Sequence, residues 1–234
     1  MEVNIRNSKY AIIYSMKIEK LEQSGFIFET ENGFRLALDI GRFTPIEKLE
    51  GVEVDAFLVS HIHEDHFSID HIRALGPKKV YMNNECAEAL GEDVLPFEIV
   101  TIKDGDNLKI GDIDLKVFNV DHGPNVSAPL EENFGFLLEV DSKKIYFAGD
   151  MFYESGIDVS NLEVDLALIP VGGFYTFGPE EASVFVRKFS KINEVVSMHY
   201  DKTPETKIKF LELAEGRKSR AYHRRAIGAS RIGA

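Results

Sequence analysis

Six residues in one short stretch, His61-Ile62-His63-Glu64-Asp65-His66, limit what this 234-residue chain can fold into more than any other part of it. They follow Ala56-Phe57-Leu58-Val59, a continuous apolar run of the kind that fills a strand buried on both faces. His61 and His63 are two apart, so in extended backbone both rings leave on the same face. Asp65 and His66 fall in the loop just beyond, where the chain can turn them toward the same point. Neutral imidazole nitrogen and ionised carboxylate oxygen are ligands for borderline divalent metals. Three imidazoles and a carboxylate leaving one strand end therefore point to a metal site. The bland alternative is a solvated loop that happens to be rich in histidine.

The segment resembles the His-x-His-x-Asp-His motif of the metallo-β-lactamase-fold hydrolases, and the rest of the chain offers a check. The family needs three more ligands, each at the end of a strand. His122 follows the apolar alternation of 112–120, Asp150 follows 144–149, and His199 follows 194–198, all in the required order. Of the seven histidines, His71 and His223 are left without a role. The resemblance runs from about Met16 to the segment after His199. It implies a four-layer αββα sandwich of the α+β class (α/β by some schemes). Runs of strands with helices set outside them would alone say only α/β or α+β.

The resemblance also implies a binuclear centre: His61, His63 and His122 hold one ion, Asp65, His66 and His199 the other, and Asp150 bridges them. Two divalent ions are expected, zinc first, with manganese, iron and nickel compatible with a donor set that lacks thiolate. Asp65 is the expected catalytic side chain, a ligand and hydrogen-bond acceptor that orients the nucleophile. Asp39, just before Gly41, supports the metal-binding loop in the resembled family; a strand-end turn is the equal alternative. Further on, Gly172, Gly173 and the run Gly178-Pro-Glu-Glu-Ala182 resemble a branch that includes the ascorbate-6-phosphate lactonase and many uncharacterised metal-dependent hydrolases. One departure stands out: where that branch commonly has Gly-His-Ser in its first strands, this chain has Glu22-Gln23-Ser24-Gly25. A glutamine can hydrogen bond but cannot be protonated, which puts any acid role of that position in doubt.

The function expected is metal-dependent hydrolysis of a small ester, lactone or phosphodiester. Gly172, Gly173, Tyr175, Thr176 and Lys202 are the candidate substrate contacts: two hydroxyls near a flexible backbone, and a cation three residues after a ligand. Two rival readings are a nuclease of the same fold and a non-catalytic or redox di-metal protein. The net charge of −12 weighs against the nuclease, because an acidic surface repels a phosphate backbone. Six Lys or Arg and no acid lie in 216–234, so residues 1–215 carry −18. The expected organisation is an extension over 1–15, one domain over 16–215 and a basic tail over 216–234. Neither a long apolar run nor a leader pattern is present, so a cytoplasmic protein without a membrane partner is expected.

Several elements follow from local chemistry. Asn32-Gly33 predicts a type I′ hairpin between strands over 25–30 and 34–40. A helix over 69–75 should stop at Gly76-Pro77, with His71 on it as a solvated or supporting residue. Strands over 97–102, 107–110 and 112–120, punctuated by Gly105 and Gly111, predict an antiparallel meander leading to His122. A second hairpin turns at Asp141-Ser142. A helix should run from Pro179 to about Phe189, and a last one from Thr203, with Ile208, Leu211 and Leu213 on its core face. Cys86, the single cysteine, is expected as a buried small hydrophobe. Glu64 should point away from the cluster.

Overall fold

A computed structural model describes residues 4–5, 10–13, 16–91, 96–124, 126 and 130–216. Alternation along the strands explains how the sheets stack. In β4 (Phe26–Glu29), Phe26 and Phe28 join one apolar cluster while Ile27 joins another. The same period of two divides Leu36 and Leu38 from Ala37 in β5 (Arg35–Leu38). It divides Ala56 and Leu58 from Phe57 in β6 (Ala56–Leu58). Strands buried on both faces need a layer on each side. The layers are α1 (Ile69–Leu75) and α2 (Asn84–Ala89) outside one sheet, and α3 (Pro179–Phe185) and α4 (Pro204–Gly216) outside the other.

The first sheet has the order β2-β3-β4-β5-β6-β7-β8, with β2 (Tyr10–Ile13), β3 (Met16–Lys20), β7 (Lys79–Met82) and β8 (Glu98–Thr101). Its strands β5 to β8 are parallel. The second has the order β1-β14-β13-β12-β11-β10-β9. Its strands are β1 (Asn4–Ile5), β9 (Asn107–Ile110), β10 (Ile113–Asn119), β11 (Phe134–Val140), β12 (Lys143–Phe147), β13 (Glu163–Pro170) and β14 (Lys191–Met198). There β12, β13 and β14 run parallel. The sheets meet through an aromatic core. Phe26 meets Phe147 edge-on at 6.3 Å between ring centres, and Phe136 stacks on Phe147 at 5.9 Å. Truncating such a ring to alanine costs about 3–5 kcal/mol. The expected four-layer α+β sandwich is the architecture observed.

Several local expectations change. The first hairpin turns over Thr30–Gly33, with Gly33 N–H donating to Thr30 O at 2.9 Å and Gly33 alone at positive φ (82°). That is a type I turn closed by a glycine bulge, not type I′. The I′ geometry appears instead at Asp141 and Ser142, with φ of 51° and 59°. The meander begins one strand later than expected, because β8 pairs parallel with β7 in the other sheet. Helix α3 ends at Phe185, four residues short of expectation. On α4 the fully buried residue is Phe210, whereas Ile208 is exposed. Within 1–15, expected as an extension, the described residues Asn4–Ile5 and Tyr10–Ile13 form edge strands, β1 beside β14 and β2 beside β3. Residues 217–234, the bulk of the basic tail and including His223, lie outside the described residues.

Candidate metal centre

His61 follows β6 of the first sheet, and Asp150 and His199 follow β12 and β14 of the second, so strands of both sheets bring their C-terminal ends to one place. His122 arrives there from β10, through the sheet pairing of β10 with β11. The carboxylate of Asp150 is central: its Oδ2 lies 3.1 Å from His66 Nε2, 3.0 Å from His199 Nε2 and 3.5 Å from His122 Nε2. Asp65 Oδ2 lies 3.4 Å from His199 Nε2 and 3.8 Å from His66 Nε2. His61 Nε2 and His63 Nδ1 are 3.0 Å apart. Single ligand atoms from His61, His63 and His122 fall within 4.8 Å of one another, as do those from Asp65, His66 and His199 and those from His61, His66 and Asp150. All seven residues expected as ligands are brought together.

A second ring of contacts fixes the imidazoles. Asp39 is fully buried and accepts hydrogen bonds from Ser60 N at 2.7 Å, Ser60 Oγ at 2.5 Å and His66 Nδ1 at 2.8 Å. Ser60 Oγ in turn lies 2.9 Å from His61 Nδ1. Both rings are held by Nδ1, which leaves each Nε2 facing the cluster. Asp39 therefore supports the loop rather than merely ending a strand. Asn133, buried, donates to Val120 O at 3.4 Å and Asp150 O at 3.1 Å, tying the approaches of two ligands together. Ser24 Oγ lies 3.4 Å from the other oxygen of Asp150. Ser60, Asn133 and Ser24 escaped the sequence reading. Only Asn133's place just before β11, and Ser60's just before the motif, hinted at them.

Backbone strain gathers at the same place. Gln23, Asp39 and His199 have φ of 52°, 48° and 57°, a region that costs a non-glycine residue roughly 1 kcal/mol or more. The chain also needs Gly172 beside His199, because a Cβ there would sit 2.0 Å from His199 O. Of the other candidates, Thr176 is buried, with its hydroxyl 3.4 Å from Phe177 O. Tyr175 is exposed, edge-on to Phe174. Lys202 places its ammonium over the Phe43 ring at 3.8 Å. His71 is buried in a brace, with Nδ1 at 2.8 Å from Ser68 Oγ and Nε2 at 2.8 Å from Thr44 O. Cys86 is buried, and burial pushes its thiol up, away from reactivity. Glu64 faces outward, paired with Arg42.

Electrostatics divide the cluster. Burial, then the charge of His66, drives the His61 pKa well below its ordinary value; burial and the charge of His122 lower that of His63. Burial also opposes charge on His66 and His199. There the carboxylates prevail: Asp150, Asp39 and Asp65 hold His66 well above its ordinary value, and Asp150 with Asp65 raises His199 to about 9. For Asp150, burial favours the neutral acid, but His199 and His66 outweigh it and hold the pKa far down. The donor set fits divalent metal. His63 Nε2 is buried without a hydrogen-bond partner among the described residues, and imidazole and carboxylate ligand atoms crowd within 4.8 Å of one another in each group.

A His- and Asp-rich cluster at the strand ends of two stacked mixed sheets, flanked by helices, defines the metallo-β-lactamase-fold hydrolases. Residues 17–199 match the family model described as beta-lactamase superfamily domain. The chain is 31% identical over 179 residues to a UPF0173 metal-dependent hydrolase of Korarchaeum cryptofilum, covering 74% of this chain and 76% of that one. It is 30% identical over 194 residues to one of Thermococcus onnurineus, covering 76% and 82%. The solved structure of Igni18, a metallo hydrolase from Ignicoccus hospitalis, matches with a TM-score of 0.71 at 22% identity over 87% of this chain and 91% of that one. The chain belongs to the β-lactamase superfamily and is a metal-dependent hydrolase. No helix among the described residues is long and apolar enough to cross a membrane.

Proposed function

We propose that the protein is a binuclear hydrolase of small esters, lactones or phosphodiesters. In this reading His61, His63 and His122 hold one divalent ion and Asp65, His66 and His199 the other. The observation that carries it is the position of Asp150 Oδ2, within 3.0–3.5 Å of ring nitrogens from both groups, where a single carboxylate would serve two ions. When bound, such ions lower the pKa of water to about 7 and polarise the bond under attack. The chain's own residues do the positioning. Asp39 and Ser60 lock His66 and His61 by Nδ1, and Asn133 holds the Asp150 backbone. Asp65 Oδ2 accepts a hydrogen bond from Gln23 at 3.2 Å, which fixes the carboxylate that would orient the nucleophile. Zinc is the proposed metal, since imidazole dominates the donor set.

The candidate substrate contacts are Lys202, seated on Phe43, and the exposed Tyr175, beside exposed Phe174 after the Gly172-Gly173 turn. Lys202 makes no ion pair among the described residues and is the cation offered to an anionic substrate group. Thr176, being buried, no longer belongs to this contact set. Protein reconstituted with zinc or manganese should hydrolyse members of a chromogenic ester, lactone and phosphodiester panel, and chelation should abolish it. Faster cleavage of structured RNA than of every small substrate would replace this reading with a nuclease.

A further inference from the structure

Gln23 stands in the turn between β3 and β4 and is held by its backbone at both ends. Its N–H donates to Asp201 Oδ2 at 2.6 Å, and its carbonyl accepts from His199 N at 3.0 Å. Asp201 is steadied in turn by Lys20, whose ammonium lies 3.6 Å away. The left-handed φ of 52° and these two bonds leave the side chain one direction to go, into the cluster, where it is 4% exposed. The Nε2 end of its carboxamide lies 3.2 Å from Asp65 Oδ2 and 3.4 Å from His199 Nε2. The other end, Oε1, is buried with no hydrogen-bond partner among the described residues.

Those two distances are informative. Two ligand atoms each about 2.1 Å from one ion, at an angle between a right angle and a tetrahedral one, stand roughly 3.0–3.4 Å apart. The inward end of the Gln23 carboxamide has that spacing from two of the side chains proposed as ligands. A half-turn about the last side-chain bond puts oxygen where nitrogen is, with almost no change of shape. Once His199 Nε2 serves a cation, an amide N–H facing it finds no acceptor there. An amide oxygen at the same point can join the same cation.

We propose that Gln23 Oε1 is a further ligand in the position formed by Asp65, His66 and His199, an inference that rests on the two-ion reading above. That position then carries three oxygens, from Asp65, Asp150 and Gln23, against two imidazoles. The His61, His63 and His122 position carries three imidazoles and one oxygen. Harder cations prefer carboxylate and carbonyl oxygen, so the Gln23 position selects manganese over zinc relative to its neighbour.

The test is a titration of chelator-treated full-length protein with manganese, followed by spin resonance of the free ion, and with zinc by calorimetry. Native chain, Gln23→Leu and Gln23→Glu are compared. The native chain should bind two equivalents. Gln23→Leu should keep the first and weaken the second at least tenfold for manganese and less for zinc, and its cobalt form should absorb more strongly as a ligand is lost. Gln23→Glu, which restores an oxygen, should bind the second manganese at least as tightly as the native chain. Unchanged manganese binding in Gln23→Leu, equal losses for both metals, or weakened binding in Gln23→Glu overturns the proposal and leaves the two-ion reading intact. A native chain that binds a single equivalent overturns both. If Gln23→Leu does not fold, Gln23→Glu decides alone.

Discussion

The two sides of the cluster are built on opposite principles. Around His61, His63 and His122 the protein gathers imidazoles, and burial outweighs the pull of nearby Asp150 and Asp65 to keep protons off His61 and His63. Around His66 and His199 it places Asp39, Asp65 and Asp150, and both rings keep their protons until something else supplies positive charge. The first side can take a cation without first losing a proton from His61 or His63. The second side must release protons to do so, and its affinity should depend more steeply on pH. One carboxylate joins the two designs.

Asp150→Ala attacks the comparison at its joint and should have the largest effect: loss of both equivalents of metal and a fall in activity of about a thousandfold or more. His63→Ala should instead spare the second ion; elemental analysis of the two variants side by side separates these outcomes, and identical losses would deny the division. Asp39→Ala removes the partner of His66 Nδ1 and the anchor of Ser60, so it should weaken metal binding or activity about 10- to 100-fold, chiefly on the His66 side. Calorimetric titration resolves which ion is affected.

A pH series of melts on metal-free protein tests the electrostatics. His61 and His63 titrate below their ordinary 6.5 when folded, so the unfolded chain takes up protons first and stability falls as pH drops below 6.5. His199, raised to about 9, contributes stability that is complete below 6.5 and is lost as pH climbs through 9; His66 acts in the same direction. The melting temperature should therefore peak near 6.5, the fall just below it coming from His61 and His63 and the alkaline limb from His66 and His199, while the depressed carboxylates of Asp65 and Asp150 add to the loss only below 3.8. A flat profile would show that the two sides do not differ. The smallest effect is expected for Lys202→Ala, which should raise KM for anionic substrates about threefold with little change in kcat, the pattern of lost uniform binding. No change in either parameter would return Lys202 to a purely structural place on Phe43.

Much of this was legible in the chain. The histidine motif is local, and its spacing and preceding apolar run dictate a strand end; the three distant ligands emerged because the resembled family requires them and each follows a strand. What escaped was direction. Lys202 lies close to His199 in sequence, yet its ammonium turns to Phe43 on another loop, and Thr176 is drawn inward next to buried Phe177, whose N–H donates to Met151 O. Whether His71 is solvated or supporting stayed open in the chain because its partners, Ser68 and a backbone carbonyl at Thr44, leave no periodic trace. The strands Asn4–Ile5 and Tyr10–Ile13 are too short for alternation to show, and their pairing is decided by the edges they meet. Gln23 stood out only as a departure; its value came from the left-handed turn that aims it inward.

The central claim is two ions on one carboxylate, and stoichiometry tests it most directly. Full-length protein stripped with chelator, reloaded with zinc or manganese and freed of excess should hold two ions per chain by elemental analysis, and Asp150→Ala treated alongside should hold neither. One ion per chain in the native protein, or two retained in Asp150→Ala, would contradict it.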